Sequence, residues 1–94
     1  MDPLIARNRE EILSIARRHG VGSVKIFGSF ARGEARPDSD IDFLIEVTGK
    51  PTPWFPGGLL ADLEELLGRR VDVVTSNALH PELKEGVLRD AVPL

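Results

Sequence analysis

The apolar positions of this chain fall into two rhythms. Ile5, Ile12, Leu13 and Ala16 recur at helical spacing with polar residues between them, which suits one buried stripe. Asp2-Pro3 opens that segment with a capping acceptor and a proline at the first helical position. Arg17, Arg18 and His19 before Gly20 close it, with cations at the negative end of the dipole and a glycine just beyond. His19 reads as a solvent-facing terminal residue. The second rhythm is that of strands. Ser23 to Phe27 (SVKIF) ends at Gly28, Ile41 to Val47 (IDFLIEV) is the strongest such run, and Val71 to Thr75 (VDVVT) is the third. Between them, Phe30 to Ala35 has room for a helical turn or two with Ser29 placed to cap it, and Pro37-Asp38-Ser39 is turn chemistry. Thr48 to Gly58 (TGKPTPWFPGG) holds three prolines and three glycines and is a loop. Leu59 to Leu67 is an amphipathic helix stopped by Gly68, and Pro81 to Asp90 is a last helix.

The predicted order is α-β-α-β-α-β-α, an α/β fold in which a small sheet is flanked by helices. The connection from second to third strand carries a helix and is long enough for a right-handed parallel crossover. The connection from first to second is shorter and suits an antiparallel pair, so a mixed sheet is expected. At 94 residues the expectation is one domain, 1–94, with a single core. No repeats appear.

Composition narrows the function. With no cysteine, disulfides and thiolate metal sites are excluded. A net charge of -3 argues against direct nucleic-acid binding, which favours strongly basic surfaces. Arg7, Arg9, Arg17 and Arg18 read as a solvated helix face. The opening MDPLIARNREEI lacks the plan of a signal peptide, and no apolar run reaches membrane-spanning length. The expectation is a cytoplasmic protein with no membrane association.

The chemistry gathers in GSFARGEARPDSDID, residues 28 to 42. Side chains alternate across a strand, so Asp40 and Asp42 share one face while Ile41, Phe43 and Ile45 take the other. By the same parity Asp72 opposes Val71 and Val73, and it joins the pair if the second and third strands are neighbours. Two unit charges about 4 Å apart repel by roughly 4 kcal/mol at an effective dielectric near 20. A divalent cation removes that cost. Oxygen-only ligands fit a hard ion, and Mg²⁺ is held by one or two carboxylates plus substrate phosphates. Three carboxylates without histidine describe a two-metal phosphoryl-transfer site better than a calcium cage, and the calcium-loop glycine and terminal glutamate are missing.

Gly28-Ser29 supplies the complementary half. Glycine lets the backbone approach a ligand, and Ser29 at the start of a helical turn offers a hydroxyl and N–H groups to an anion. Arg32, one turn on, is within reach of a phosphate oxygen. Alone, a Gly-Ser pair reads as a turn or cap, and Asp38 and Arg36 read as turn residues. The facing of Lys25 is undecided by the pattern.

Taken together, Gly-Ser, ten residues, Asp-x-Asp at the head of a strand and a later lone aspartate in VDVV resemble the nucleotidyltransferase superfamily that includes DNA polymerase beta. GSFARGEARPDSDIDFLIEV, PWFPGG and LLGRRVDVVT resemble its smallest branch, the minimal nucleotidyltransferases, over nearly the whole chain. The resemblance implies a polymerase beta-like palm. It implies Asp40 and Asp42 as ligands of two Mg²⁺ ions, and Asp72 as a third ligand that helps to deprotonate the attacking hydroxyl. Gly28 and Ser29 would hold the β- and γ-phosphates of ATP, the nucleotide donor.

The same resemblance implies a partner. Larger members carry further domains that grip base or acceptor; here the pocket walls are expected from a partner or a self-assembled oligomer. Minimal nucleotidyltransferases commonly pair with helical HEPN proteins in toxin–antitoxin modules, where the antitoxin adenylylates a tyrosine of the ribonuclease toxin. This chain contains no tyrosine, so such an acceptor lies outside it. Trp54-Phe55 reads either as cover for an edge of the core or as an apolar knob for a partner. Three functions remain open: transfer of AMP to a partner protein, neutralisation of a partner by masking, and nucleotidyl transfer to a small molecule.

Overall fold

A computed structural model describes residues 1–94. Two helices, α1 (Pro3–Arg7) and α2 (Arg9–Arg18), precede β1 (Val21–Phe27), the short α3 (Ser29–Arg32) and β2 (Ile41–Val47). Then come α4 (Gly57–Leu67), β3 (Val71–Thr75), a 3₁₀ turn (Ser76–Ala78), α5 (Pro81–Asp90) and β4 (Val92–Pro93). The four strands form one sheet in the order β3-β2-β1-β4. β1 is antiparallel to β2 and β4, and β2 is parallel to β3. This is the expected mixed sheet, with α4 making the crossover.

The core lies on one face only. Val24 and Ile26 of β1, Ile41, Phe43 and Ile45 of β2 and Val71 of β3 pack there against Ile5, Ile12, Ile15 and Ala16, and against Leu59, Leu63 and Leu67 of α4. The opposite face carries Lys25 and Phe27, Asp42 and Leu44, and Asp72 and Val74, by strand alternation and register. Lys25 thus falls on the carboxylate face. Of these, Leu44 is fully buried, whereas α5, which follows this face's last element, buries no residue completely.

Three features depart from the sequence pattern. The first helix is two: the Asn8 side-chain amide donates to the Leu4 carbonyl at 2.8 Å, the acceptor that its own backbone N–H would use in a continuous helix. That N–H turns to Ile5 instead, at 3.2 Å, a local competition to which asparagine is prone. A fourth strand was not expected, because two residues ending in Pro93 carry no periodicity. It is held by pairing to Lys25 and Ile26.

His19 is the third. Far from facing solvent, it is 9% exposed. One ring nitrogen, Nδ1, lies 2.7 Å from the Thr52 hydroxyl and the other, Nε2, 2.8 Å from the Asp62 carboxylate. The imidazole therefore clasps the loop 48–56 to α4. Within that loop Phe55 packs on the core and Trp54 does not: it stands 90% exposed at a left-handed φ of 68°.

Removing the clasp breaks two part-buried hydrogen bonds, to Thr52 and to Asp62, and leaves a hole where the buried ring stood, which together cost about 2 kcal/mol. His19→Ala should therefore lower the thermal unfolding midpoint by roughly 10 °C and make the loop more sensitive to limited proteolysis. A midpoint unchanged from the native protein would show that the clasp contributes nothing.

Candidate functional site

The β2–β3 register sets Asp42 directly beside Asp72, while the β1–β2 register sets Phe27 opposite Asp42. Gly28, next along, therefore lies against the Asp42 side chain. Its φ is +73°, and a Cβ there would overlap Asp42 Oδ2. Only glycine satisfies both conditions. Asp40 precedes β2 by one residue and is exposed, as is Asp72, whereas Asp42 is half-buried.

None of the three finds a partner. The carboxylates that accept hydrogen bonds are elsewhere: Asp2, Glu10, Glu34, Asp62, Glu64 and Asp90. Asp42 responds as physics requires. Burial first, then the charges of Asp72 and Asp40, push its carboxyl above the usual aspartate range, with Arg32 opposing.

Beside the carboxylates, α3 starts one residue earlier than the sequence suggests. Gly28, not Ser29, is the cap, and the Ser29 side chain makes no capping bond. Its hydroxyl is therefore free of helix duty, and the first N–H groups of the turn have no intrahelical acceptor. Arg32 is engaged: Nε donates to Glu34 at 3.0 Å and Nη1 to Asp90 at 3.2 Å. Both pairs are open to solvent, the kind that contributes little to stability, so exchange for a phosphate oxygen is cheap.

The approach to Asp40 is a turn closed by Ser39, whose hydroxyl accepts from the Arg36 N–H at 2.7 Å and whose own N–H donates to the Arg36 carbonyl at 3.0 Å. Asp38, read as the turn residue, is exposed and makes no side-chain bond there. Arg69 was not anticipated. Its Nη2 donates to the carbonyls of Arg36 at 2.6 Å and Ser39 at 3.0 Å, and its guanidinium carbon lies 4.9 Å from the centre of the Phe30 ring. Glu64 was likewise silent in the sequence; its carboxylate accepts the Val71 N–H at 3.0 Å and so caps the start of β3.

The donor set fits a hard divalent cation. It offers oxygen only, its charges repel with only Arg32 opposing, and its central carboxylate is partly desolvated. The side chains line up and do not already enclose a point, since no three acidic or histidine groups surround a common centre. That suits Mg²⁺, which takes few protein ligands and completes its shell with water and phosphate.

A family model described as a nucleotidyltransferase domain matches residues 9–94. A Methanocaldococcus jannaschii protein provisionally named a protein adenylyltransferase is 43% identical over 84 residues, covering 89% of this chain and 90% of the relative. Protein adenylyltransferase MntA of Thermococcus cleftensis is 40% identical over 91 residues, covering 88% and 92%. A solved structure described as a minimal nucleotidyltransferase has a TM-score of 0.84 at 48% identity and covers 100% of this chain and 97% of that one. A toxin–antitoxin crystal structure with AMP-PNP contains the same fold, at a TM-score of 0.77 and 22% identity over 92% of this chain and 71% of that one.

Two substitutions should part in sign without metal. Asp42→Asn removes a repelled charge and keeps the shape, so the unfolding midpoint should stay level or rise by a few degrees. Gly28→Ala meets both the positive φ and the carboxylate and should cost at least about 1 kcal/mol. The raised Asp42 carboxyl binds its proton more tightly folded than unfolded. Its stabilising contribution is therefore present below about pH 4 and lost as pH rises through the folded-state value; Asp42→Asn should abolish that loss. Thermal melts against pH check both, and a clear loss of stability in Asp42→Asn at neutral pH would mean that the carboxylate is structural.

Proposed function

The chain belongs to the nucleotidyltransferase domain family and is a transferase enzyme, and from that premise we propose that it moves AMP from ATP onto a hydroxyl of a partner protein. The observation that carries the reading is the set of partnerless carboxylates, Asp40, Asp42 and Asp72, with Gly28 lying against Asp42. A binding module gains nothing from such repulsion. The names of the relatives, at 40% identity and above, support the adenylyl group and a protein acceptor.

In this reading Asp40, Asp42 and Asp72 would together hold two Mg²⁺ ions. Bound Mg²⁺ supplies charge neutralisation at the triphosphate and a more acidic acceptor hydroxyl. The acceptor oxygen bonds to the α-phosphorus as that phosphorus parts from the oxygen bridging it to the β-phosphate. Pyrophosphate leaves with the electron pair, and the hydroxyl proton passes to Asp72, the exposed carboxylate on the neighbouring strand. The Gly28 backbone and Ser29 hydroxyl hold the β- and γ-phosphates in line. Arg32 leaves Asp90 for a phosphate oxygen.

The partner we propose is a HEPN-type helical ribonuclease toxin, with this chain as its antitoxin and a tyrosine as acceptor. A phosphate placed near the path of the RNA backbone repels it and silences the nuclease. Trp54 supports a docked partner. An indole that is 90% exposed at positive φ gains nothing for the folded chain, whereas buried tryptophan dominates interface energetics. The same observation favours the second reading, inhibition by masking alone.

Co-expression with such a partner and mass spectrometry separate the two. The partner should carry an AMP adduct, lost in Asp40→Asn, Asp42→Asn and Asp72→Asn, whose effects should be far from additive because they act as one site. Trp54→Ser should weaken partner binding at least tenfold, about 1.4 kcal/mol, while leaving stabilisation by Mg²⁺ and an ATP analogue intact. A partner that stays unmodified yet is inhibited equally by the Asp42→Asn protein would decide for masking.

A further inference from the structure

One guanidinium joins the turn that leads to Asp40 to Phe30, the neighbour of Ser29. Arg69 sits in the turn between α4 and β3, three residues before Asp72. That turn is itself rigid: Gly68 ends α4 at a φ of 65°, its N–H donates to the Glu64 carbonyl at 2.8 Å, and the Arg70 carbonyl accepts from Ile41 at 3.0 Å. From this base the Arg69 side chain reaches back across about thirty residues of sequence to the Arg36 and Ser39 carbonyls. The Ser39 carbonyl belongs to the peptide that joins Ser39 to Asp40, so fixing it fixes the orientation in which Asp40 leaves the turn. The face of the same guanidinium lies over Phe30, the buried residue adjacent to Ser29.

The rest of this connection has little to hold it. Between α3 and β2, residues 33 to 40 are exposed except for half-buried Ala35 and Ser39. Apart from its own Ser39–Arg36 bonds, its side-chain hydrogen bonds to other parts of the protein are the exposed Glu34–Arg32 pair at its start and the two carbonyls that Arg69 takes, and of these only the Arg69 bonds reach the Arg36–Ser39 turn. A loop so placed opens readily, and a carboxylate at its end would lose its register with the other two.

We propose that Arg69 is a positioning residue for the transfer reaction: by clamping the Arg36–Ser39 turn against Phe30 and β3, it holds Asp40 in register with Asp42 and Asp72. The inference rests on the nucleotidyltransferase reading of those carboxylates. Arg69 itself touches neither nucleotide nor ion. Its loss acts through Asp40, by weakening the grip on the divalent cation and slowing chemistry rather than by lowering affinity for ATP.

The test compares Arg69→Met, which keeps an apolar stem on Phe30 but has no donor, with Arg69→Lys, which restores donors. Mn²⁺ binding is read from the free-ion resonance signal in the presence of a non-hydrolysable ATP analogue, and AMP transfer is followed separately. For Arg69→Met the half-saturating Mn²⁺ concentration should rise about tenfold and kcat should fall by a similar factor, as for other residues that orient metal ligands. The KM for ATP should stay within about twofold. Arg69→Lys should recover much of both losses, remaining about threefold from the native protein. Native Mn²⁺ affinity in Arg69→Met, or a lysine variant no better than methionine, would overturn the inference. If Arg69→Met does not fold, Arg69→Lys alone decides it, since an affinity equal to the native one overturns it there too. A native protein that binds Mn²⁺ and nucleotide but transfers no AMP would overturn the proposed reaction, and the ion comparison would still judge Arg69.

Discussion

The parallel pairing of β2 with β3 sets Asp42 against Asp72, and much of the molecule can be understood as holding that register. A slip of one residue would turn Asp72 into the core and Val71 and Val73 toward solvent, because side chains alternate with a period of two. Burial opposes the slip. Val71 is buried and Val73 packs against the core, each worth up to about 1.5–3 kcal/mol. Repulsion between two carboxylates favours any arrangement that separates them, but it is at most roughly 4 kcal/mol at contact and smaller for exposed groups. The apolar face therefore wins, and the polar face accepts a charge arrangement that Arg32 offsets only in part.

That division of labour runs through the whole sheet. One face, with α1, α2 and α4, carries the stability; the other carries the carboxylates, with Gly28 lying against Asp42. The two ends differ as well. Asp42 lies near the start of β2, while the Trp54 loop follows its end, separated by five strand residues, or about 17 Å at 3.3 Å each. Under the proposed function the partner is gripped at one end of the sheet and modified at the other. Docking and chemistry are then separable by mutation, and the His19 clasp that holds the loop belongs to docking.

Much of this was legible in the sequence because its causes are local. β2, β3 and α5 follow from runs of β-branched or amphipathic residues with clear stops, and the sharing of a face by Asp40 and Asp42 follows from strand parity alone. What stayed hidden depends on distant partners. His19 looked like a helix-terminal cation because its partners, Thr52 and Asp62, lie 33 and 43 residues away. Arg69 looked like one more arginine after a helix, since its acceptors are backbone carbonyls that any sequence possesses. Asn8 lies between: its competing amide is a local signal, overridden in the reading by the strong helical spacing around it. β4 carried no pattern, being two residues that owe their strand to a neighbour.

The proposed function requires the three carboxylates and the Gly28-Ser29 turn to form one nucleotide and metal site. Crystals grown with Mn²⁺ and an α,β-non-hydrolysable ATP analogue test it most directly, because anomalous scattering locates the ion without assumption. An anomalous peak is expected within coordination distance of Asp40 and Asp42, with the β- and γ-phosphates against Gly28 and Ser29. Nucleotide bound elsewhere, or no ion at Asp42 at saturating Mn²⁺, would contradict it.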